Sequence, residues 1–344
     1  MRSLWVDYTK AIGIILVVYG HVARGMFKAG LPMNESVYRI IDSIIYSFHM
    51  PLFFFLSGLF FYESLIKRGW RGLMANKMDS IAYPYIVWSL LQGSIEVLLN
   101  RWTNNHATIS EVLSFLWVPR AQFWFLYAMF LVIIVGIPIY VKAKKKYFLL
   151  IAIASLVPCL YPAKIYIFGL LHFGYIFGNF CFFALGIFFK EIQHHVYNNR
   201  QKLLIPLFVI FVGAQYLFHV KYGLNYSIRG GAALTLAIVS IAFTVILCMW
   251  MESKKIKILS LIGSSSMVIY LAHILAGSGT RIVLTKILHV DDYFPNLFCG
   301  CILGICLPII AFKLASRIGL SFIFVVPSRL SVERLYNNSV NRIR

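Results

Sequence analysis

Asp7, Lys10 and His21 are the residues of this chain whose types and spacing most invite chemistry. The stretch that holds them, Asp7-Tyr-Thr-Lys10-Ala-Ile-Gly-Ile-Ile-Leu-Val-Val-Tyr-Gly-His21, is otherwise largely apolar and long enough to enter a bilayer. On a helix advancing about 100° per residue, Lys10 and His21 fall within about 20° of one another. They stand about 16 Å apart along the axis at ~1.5 Å per residue. Asp7 lies one turn before Lys10 and about 40° from His21 on the same wheel. Ionisable groups aligned on one face inside lipid are expensive, and they mark a functional site.

Other stripes of the same kind follow. Asp42, Tyr46 and His49 are spaced i, i+4, i+7, one face of a second helix that Pro51 is expected to kink by removing a backbone bond. Tyr85, Ser89, Gln92 and Glu96 form a third stripe, and Ser266, Tyr270, His273 and Gly277 a fourth. Counted from the helix ends, His21, His49 and His273 converge in depth between the bilayer centre and its outer half. Histidine suits a general base at neutral pH, and Asp7 or Asp42 could fix its tautomer. The alternative for each stripe is a hydrogen-bond network that joins helices. Three histidines could also hold zinc, but no His-x3-His or cysteine pair accompanies them, so no metal is expected. His106 and His172 are read as loop and interface residues without a role.

The elements that must position these side chains are membrane helices. The chain has 344 residues, 60% hydrophobic and 13% charged, with a mean hydropathy of +0.79. Apolar runs recur at about 5–25, 40–62, 80–99, 121–141, 147–162, 170–189, 203–219, 232–251, 260–279 and 297–315. The fifth and sixth are interrupted by Pro158, Pro162 and Lys164. This predicts an all-α polytopic bundle of about ten transmembrane helices, one domain over residues 1–344, with 316–344 a basic tail. The net charge of +20 does not point to nucleic acid, because most of the basic residues sit in alternate short loops. That is the positive-inside pattern, and it places both termini in the cytoplasm. The six cysteines lie in apolar stretches and read as free thiols. Lys67, Arg68, Arg71 and Lys77 share one cytoplasmic loop. They either set orientation or receive a phosphorylated cytosolic ligand.

These residues resemble the membrane acyltransferase-3 family, and within it the branch similar to fucose 4-O-acetylases of bacterial polysaccharide pathways. Asp7, Lys10 and His21 match the family's first-span motif. Met50-Pro-Leu-Phe-Phe-Phe-Leu-Ser57-Gly58 looks like its second-span signature, and Phe123-Trp124-Phe125-Leu126 like its Trp-Phe-Leu element. Phe183-Ala-Leu-Gly186 and Leu261-Ile-Gly263-Ser-Ser-Ser266-Met-Val-Ile-Tyr270-Leu-Ala-His273 match later elements in the right order. There is one departure. Many members carry Arg-x-x-Arg just before a proline at the third span. Here Pro84 is preceded by Ile81 and Met78, with Lys77 close by, and Arg68-x-x-Arg71 sits earlier.

The resemblance implies a multi-pass enzyme of the bacterial inner membrane that moves an acetyl group from acetyl-CoA to a sugar hydroxyl. The acceptor would be a surface polysaccharide or its lipid-linked precursor, with polysaccharide assembly proteins as possible partners. His21 carries over as the essential residue and Lys10 as its basic partner, with Asp7, His49 and His273 in support. Lys67, Arg68, Arg71 and Lys77 would meet the donor. Asp42, Tyr46, Ser57, Glu96, Trp124 and Tyr270 would line the substrate cavity. The rival reading is a transporter or flippase of polysaccharide precursors, for which an inverted repeat is expected and none is visible.

Overall fold

The computed structural model describes residues 3–99, 108–160 and 174–343. His106, Pro162, Lys164 and His172 lie outside them. The described elements are helices and connecting turns, as the apolar periodicity predicts. They run α1 Leu4–Lys28, α2 Glu35–Tyr46, α3 His49–Lys77, α4 Tyr83–Leu98, α5 Ile109–Leu113, α6 Trp124–Tyr140 and α7 Phe148–Leu160. They continue with α8 Gly174–Asn198, α9 Arg200–Gln215, α10 Gly231–Met251, α11 Lys257–Ser264, α12 Ser266–Ile282, α13 Tyr293–Arg317 and α14 Val332–Ile343. Among the described residues, eight helical stretches are long and apolar enough to cross a membrane. One of these, Glu35–Leu98, contains α2, α3 and α4.

α1 is the post of the bundle, packed against α3, α10, α11, α12 and α13. Small residues let the helices close on one another, as lipid-embedded packing requires. A Cβ at Gly58 on α3 would stand 1.9 Å from the carbonyl oxygen of Phe183, and one at Gly186 on α8 would stand 2.0 Å from that of Phe55. The two motif glycines therefore make one reciprocal crossing, backbone on backbone. Gly263 does the same at α11, where a Cβ would meet the Asp7 carbonyl oxygen at 1.8 Å.

Two expected spans are not single helices. The second breaks at Ser47–Phe48, with Phe48 at φ −143°, ψ −19°. Pro51 consequently lies in the first turn of α3 rather than inside a span. There its missing N–H breaks no helical bond. The expected kink at Pro51 is thus a helix break three residues earlier. Further on, Gly69 adopts φ 66°, ψ 169° and bends the end of α3. The ninth span divides at Ser265 into α11 and α12.

The basic connections gather at one end. Glu252, after α10, accepts from the backbone N–H of Leu4 at 2.8 Å, while Lys145 before α7 pairs with Glu191 near the end of α8 at 2.9 Å. The tail returns to this end as well. Asp79 accepts from the Ser331 hydroxyl at 2.6 Å and from the N–H of Val332 and Glu333 at 2.9 and 3.1 Å. A carboxylate at the start of α14 satisfies donors that a helix leaves open. α14 lies against the distal part of α3, where Glu333 pairs with Arg68 and accepts from Asn76 at 2.8 Å.

Candidate active site

His21 is seven residues before the end of α1, and its imidazole meets that of His273 on α12 with ring centroids 5.1 Å apart. The Tyr46 ring, from the last turn of α2, lies 6.5 Å from His21 and 4.5 Å from His49. Gly20 makes this approach possible, since a Cβ there would stand 2.8 Å from Tyr46 Cε2. The three histidines expected to converge in depth therefore form one chain of neighbouring rings, His49–Tyr46–His21–His273. His49 and Tyr46 remain neighbours even though the helix between them breaks.

Backbone carbonyls orient two of the rings. His49 Nδ1 lies 2.7 Å from the Ile45 carbonyl oxygen, and His273 Nδ1 lies 2.7 Å from that of Tyr270. A carbonyl accepts only, so each Nδ1 carries the hydrogen and each Nε2 presents a lone pair when neutral. Both His49 and His273 are fully buried, and His273 Nε2 and the Tyr46 hydroxyl have no partner among the described residues. Buried polar atoms without partners are rare enough to need a reason, and a ligand is one. No described hydrogen bond engages the His21 ring, which leaves it able to bond a substrate.

Arg24 completes the cluster, and the sequence reading missed it. Its Nε and Nη2 donate to Asp42 Oδ1 and Oδ2 at 2.7 and 2.8 Å, a bidentate pair. Its guanidinium sits 3.2 Å above the centre of the Tyr46 ring and 4.9 Å from that of Tyr226. The His21-x-x-Arg24 spacing was the available signal, since i and i+3 share a helix face. Tyr226, 5.4 Å from Tyr46 by ring centroid, had no such signal because it stands in the loop between α9 and α10. Its N–H donates to the Ser43 hydroxyl at 2.8 Å, which ties that loop to α2.

Other predicted residues fall elsewhere. α1 is unbroken, so Asp7 is about 21 Å along the axis from His21 at ~1.5 Å per residue. It does not orient the imidazole. Nor does Asp42 touch His21, because both its oxygens hold Arg24. Lys10 is half-buried at the basic end, and Lys77 lies within the electrostatic reach of both Arg68 and Lys10. The four cations expected in one loop lie instead on the distal part of α3, and the structure does not gather them into one set. Arg68 is paired to Glu333, Lys67 and Arg71 are exposed, and the Arg71 guanidinium lies 5.1 Å from the Trp70 ring centre. Lys10, Arg68 and Lys77 form the group the structure brings together.

Glu96 and Tyr270 belong to a polar seam joining three helices. Glu96 accepts from Gln92 at 2.8 Å and pairs with Arg120 at 3.3 Å, Gln122 donates to Gln92 at 2.6 Å, and the Tyr270 hydroxyl donates to the Gln122 carbonyl. Ser57 is half-buried beside the Gly58 crossing. Trp124 and Tyr46 do line a cavity of about 880 Å³, open at the end of the bundle away from Lys10 and Lys77. Among the described residues, no group of three histidine, cysteine or acidic side chains is arranged to hold a metal ion.

The acyltransferase-domain profile matches residues 3–313. This chain belongs to the acyltransferase-3 family. Similarity to a characterised sequence is more limited. The nodulation protein NolL of Sinorhizobium fredii is 25% identical over 135 residues, 37% of this chain and 34% of that protein. The matched part thus spans about a third of that relative. No solved structure matches. Family membership extends over the whole histidine cluster and the basic end, so the geometry above belongs to the acyltransferase domain itself.

Proposed function

We propose that this membrane protein is an O-acyltransferase that moves an acetyl group from acetyl-CoA to a sugar hydroxyl of a surface glycan or its lipid-linked precursor. The observation that carries the reading is the group of His21, His49 and His273 inside the bundle, linked through the Tyr46 ring, with His273 Nε2 and the Tyr46 hydroxyl lacking partners among the described residues. It stands about 16 Å, at ~1.5 Å per residue of α1, from the cations at the basic end.

Each part has a physical task. Lys10, Lys77 and Arg68 offer positive charge where the phosphates of a cytosolic donor would arrive. His21 takes the proton of the acceptor hydroxyl as its oxygen attacks the thioester carbonyl. The carbon–sulfur bond breaks, and the departing thiolate takes that proton back from the imidazolium. His273, with its Nδ1–H held by the backbone, keeps a lone pair beside His21 and steadies the proton there. The Arg24–Asp42 pair fixes Tyr46 against Gly20 and so holds the wall of the site. The basic end is taken as cytoplasmic and the membrane as the bacterial inner membrane, following the charge distribution.

The test compares envelope glycans from cells with and without the gene, by mass and by NMR of O-acetyl signals. Loss of one class of O-acetyl group, restored by the wild-type gene, is the expected result. Unchanged acylation across all glycans would count against the reading.

A further inference from the structure

The open cavity at the end away from the cations has walls of a particular chemistry, and resting on the acyl-transfer reading above, we infer that it is the acceptor site, built for a glycan that carries an anionic group. Tyr46 belongs both to this cavity and to the histidine cluster, which makes the two spaces adjoin. None of the three histidines lines the cavity itself, and Tyr46, whose ring centroid lies 6.5 Å from that of His21, is the wall the two spaces share.

Three features select the ligand. First, Trp124 and Tyr175 stack at 5.5 Å with planes 24° apart, both half-buried on the cavity wall, and Tyr226 stands on the same wall near Tyr46. Half-buried flat aromatic faces suit the C–H face of a sugar ring, whose hydroxyls would point sideways to polar neighbours such as Asn179 and Ser227. Second, the volume of about 880 Å³ lies high in the ~300–1,000 Å³ span of small-ligand sites, enough for more than one sugar ring. Third, Arg229 is the one charged residue among the described residues lining the cavity. Its Nη1 would lie 3.8 Å from a Cβ at Gly178, so the guanidinium reaches over α8 into the space. Arginine recognises carboxylate and phosphate bidentately. No acidic residue on the described lining offsets it.

The site is thus divided by chemistry, with the donor's phosphates at one end and an acidic glycan at the other. The two ligands meet only at the histidines, and the acceptor does not compete for the cations at Lys10.

Saturation-transfer NMR on the full chain in lipid nanodiscs tests this. The probes are cellobiouronic acid, neutral cellobiose and glucose 1-phosphate, and the thermal shift given by acetyl-CoA on the same samples reports folding. Wild type is expected to prefer an anionic sugar over cellobiose by about tenfold, and the two anionic probes show whether carboxylate or phosphate is favoured. Arg229→Gln should abolish that preference and leave cellobiose binding unchanged. Trp124→Ala and Tyr175→Ala should each weaken all sugars by about tenfold while the acetyl-CoA shift persists. Equal affinity for acidic and neutral probes in wild type would overturn the role of Arg229. Undiminished binding in both aromatic variants would overturn the site. If no sugar binds while acetyl-CoA still does, the glycan assignment falls and the donor reading stands. Sugar binding without any acetyl-CoA shift would have the reverse meaning.

Discussion

At the scale of the residue, the decisive arrangement is a histidine with open nitrogens set among groups already satisfied. His49 and His273 spend one nitrogen on backbone carbonyls, Asp42 spends both oxygens on Arg24, and His21 spends neither nitrogen within the described contacts. Removing the base from a positioned proton transfer costs about 10²–10⁴-fold. His21→Ala is therefore expected to lower transfer by that factor without weakening acetyl-CoA binding, which a ligand-induced thermal shift would reveal. Gly20→Ala is a subtler probe. Its methyl would stand 2.8 Å from Tyr46 Cε2, so the ring must move, and the acceptor KM should rise more than the donor KM. Equal effects on both would indicate general damage. Asp42→Ala leaves the half-buried Arg24 without its partner, a change that costs ~3–5 kcal/mol in a fully buried pair and less here. A lowered unfolding temperature of the purified chain checks it.

At the scale of the element, the sequence motifs divide into those that furnish the histidine cluster and those that let helices meet. The His21 and His273 motifs supply side chains to the site. Gly58, Gly186 and Gly263 supply none, and their absent Cβ atoms admit a neighbouring backbone at under 2.1 Å from where a methyl would be. Gly58→Ala and Gly186→Ala should each destabilise the α3–α8 crossing by about 1–3 kcal/mol or more, because a carbonyl cannot step aside as a flexible side chain can. Thermal unfolding in detergent reads this, and near-wild-type stability in both variants would contradict the crossing. The apolar runs and the position of α1 were legible from hydropathy and helical period. The helix break at Ser47 was not, since neither glycine nor proline stands at the break, whereas the break at Ser265 lies in Gly263-Ser264-Ser265-Ser266, a breaker cluster the apolar run masked. Arg24 was legible in its i, i+3 spacing from His21, but its partners on α2 and in the Tyr226 loop are not. Tyr226 was illegible, because loop residues carry no period. The pairing of Arg68 with Glu333 joins positions 265 residues apart, beyond any local pattern.

At the scale of the whole molecule, the protein is a bundle with a cationic end, an aromatic cavity at the other, and three histidines between them. α14 closes the cationic end by its contacts with Asp79, Asn76 and Arg68. Asp79→Ala removes three hydrogen bonds from the start of that helix, so residues 331–343 should exchange amide hydrogens faster and be cut more readily by protease. Unaltered protection would show that α14 is held by other contacts. The central claim, that His21 performs acyl transfer within this bundle, is tested most directly by one measurement. The purified full chain in lipid nanodiscs is given acetyl-CoA labelled in the acetyl group and a glycan extract from the producing cell, and label in the glycan is counted for wild type and His21→Ala. The account predicts transfer by wild type and a loss of about 10²-fold or more in the variant, with the acetyl-CoA thermal shift retained. Equal transfer by both would contradict it.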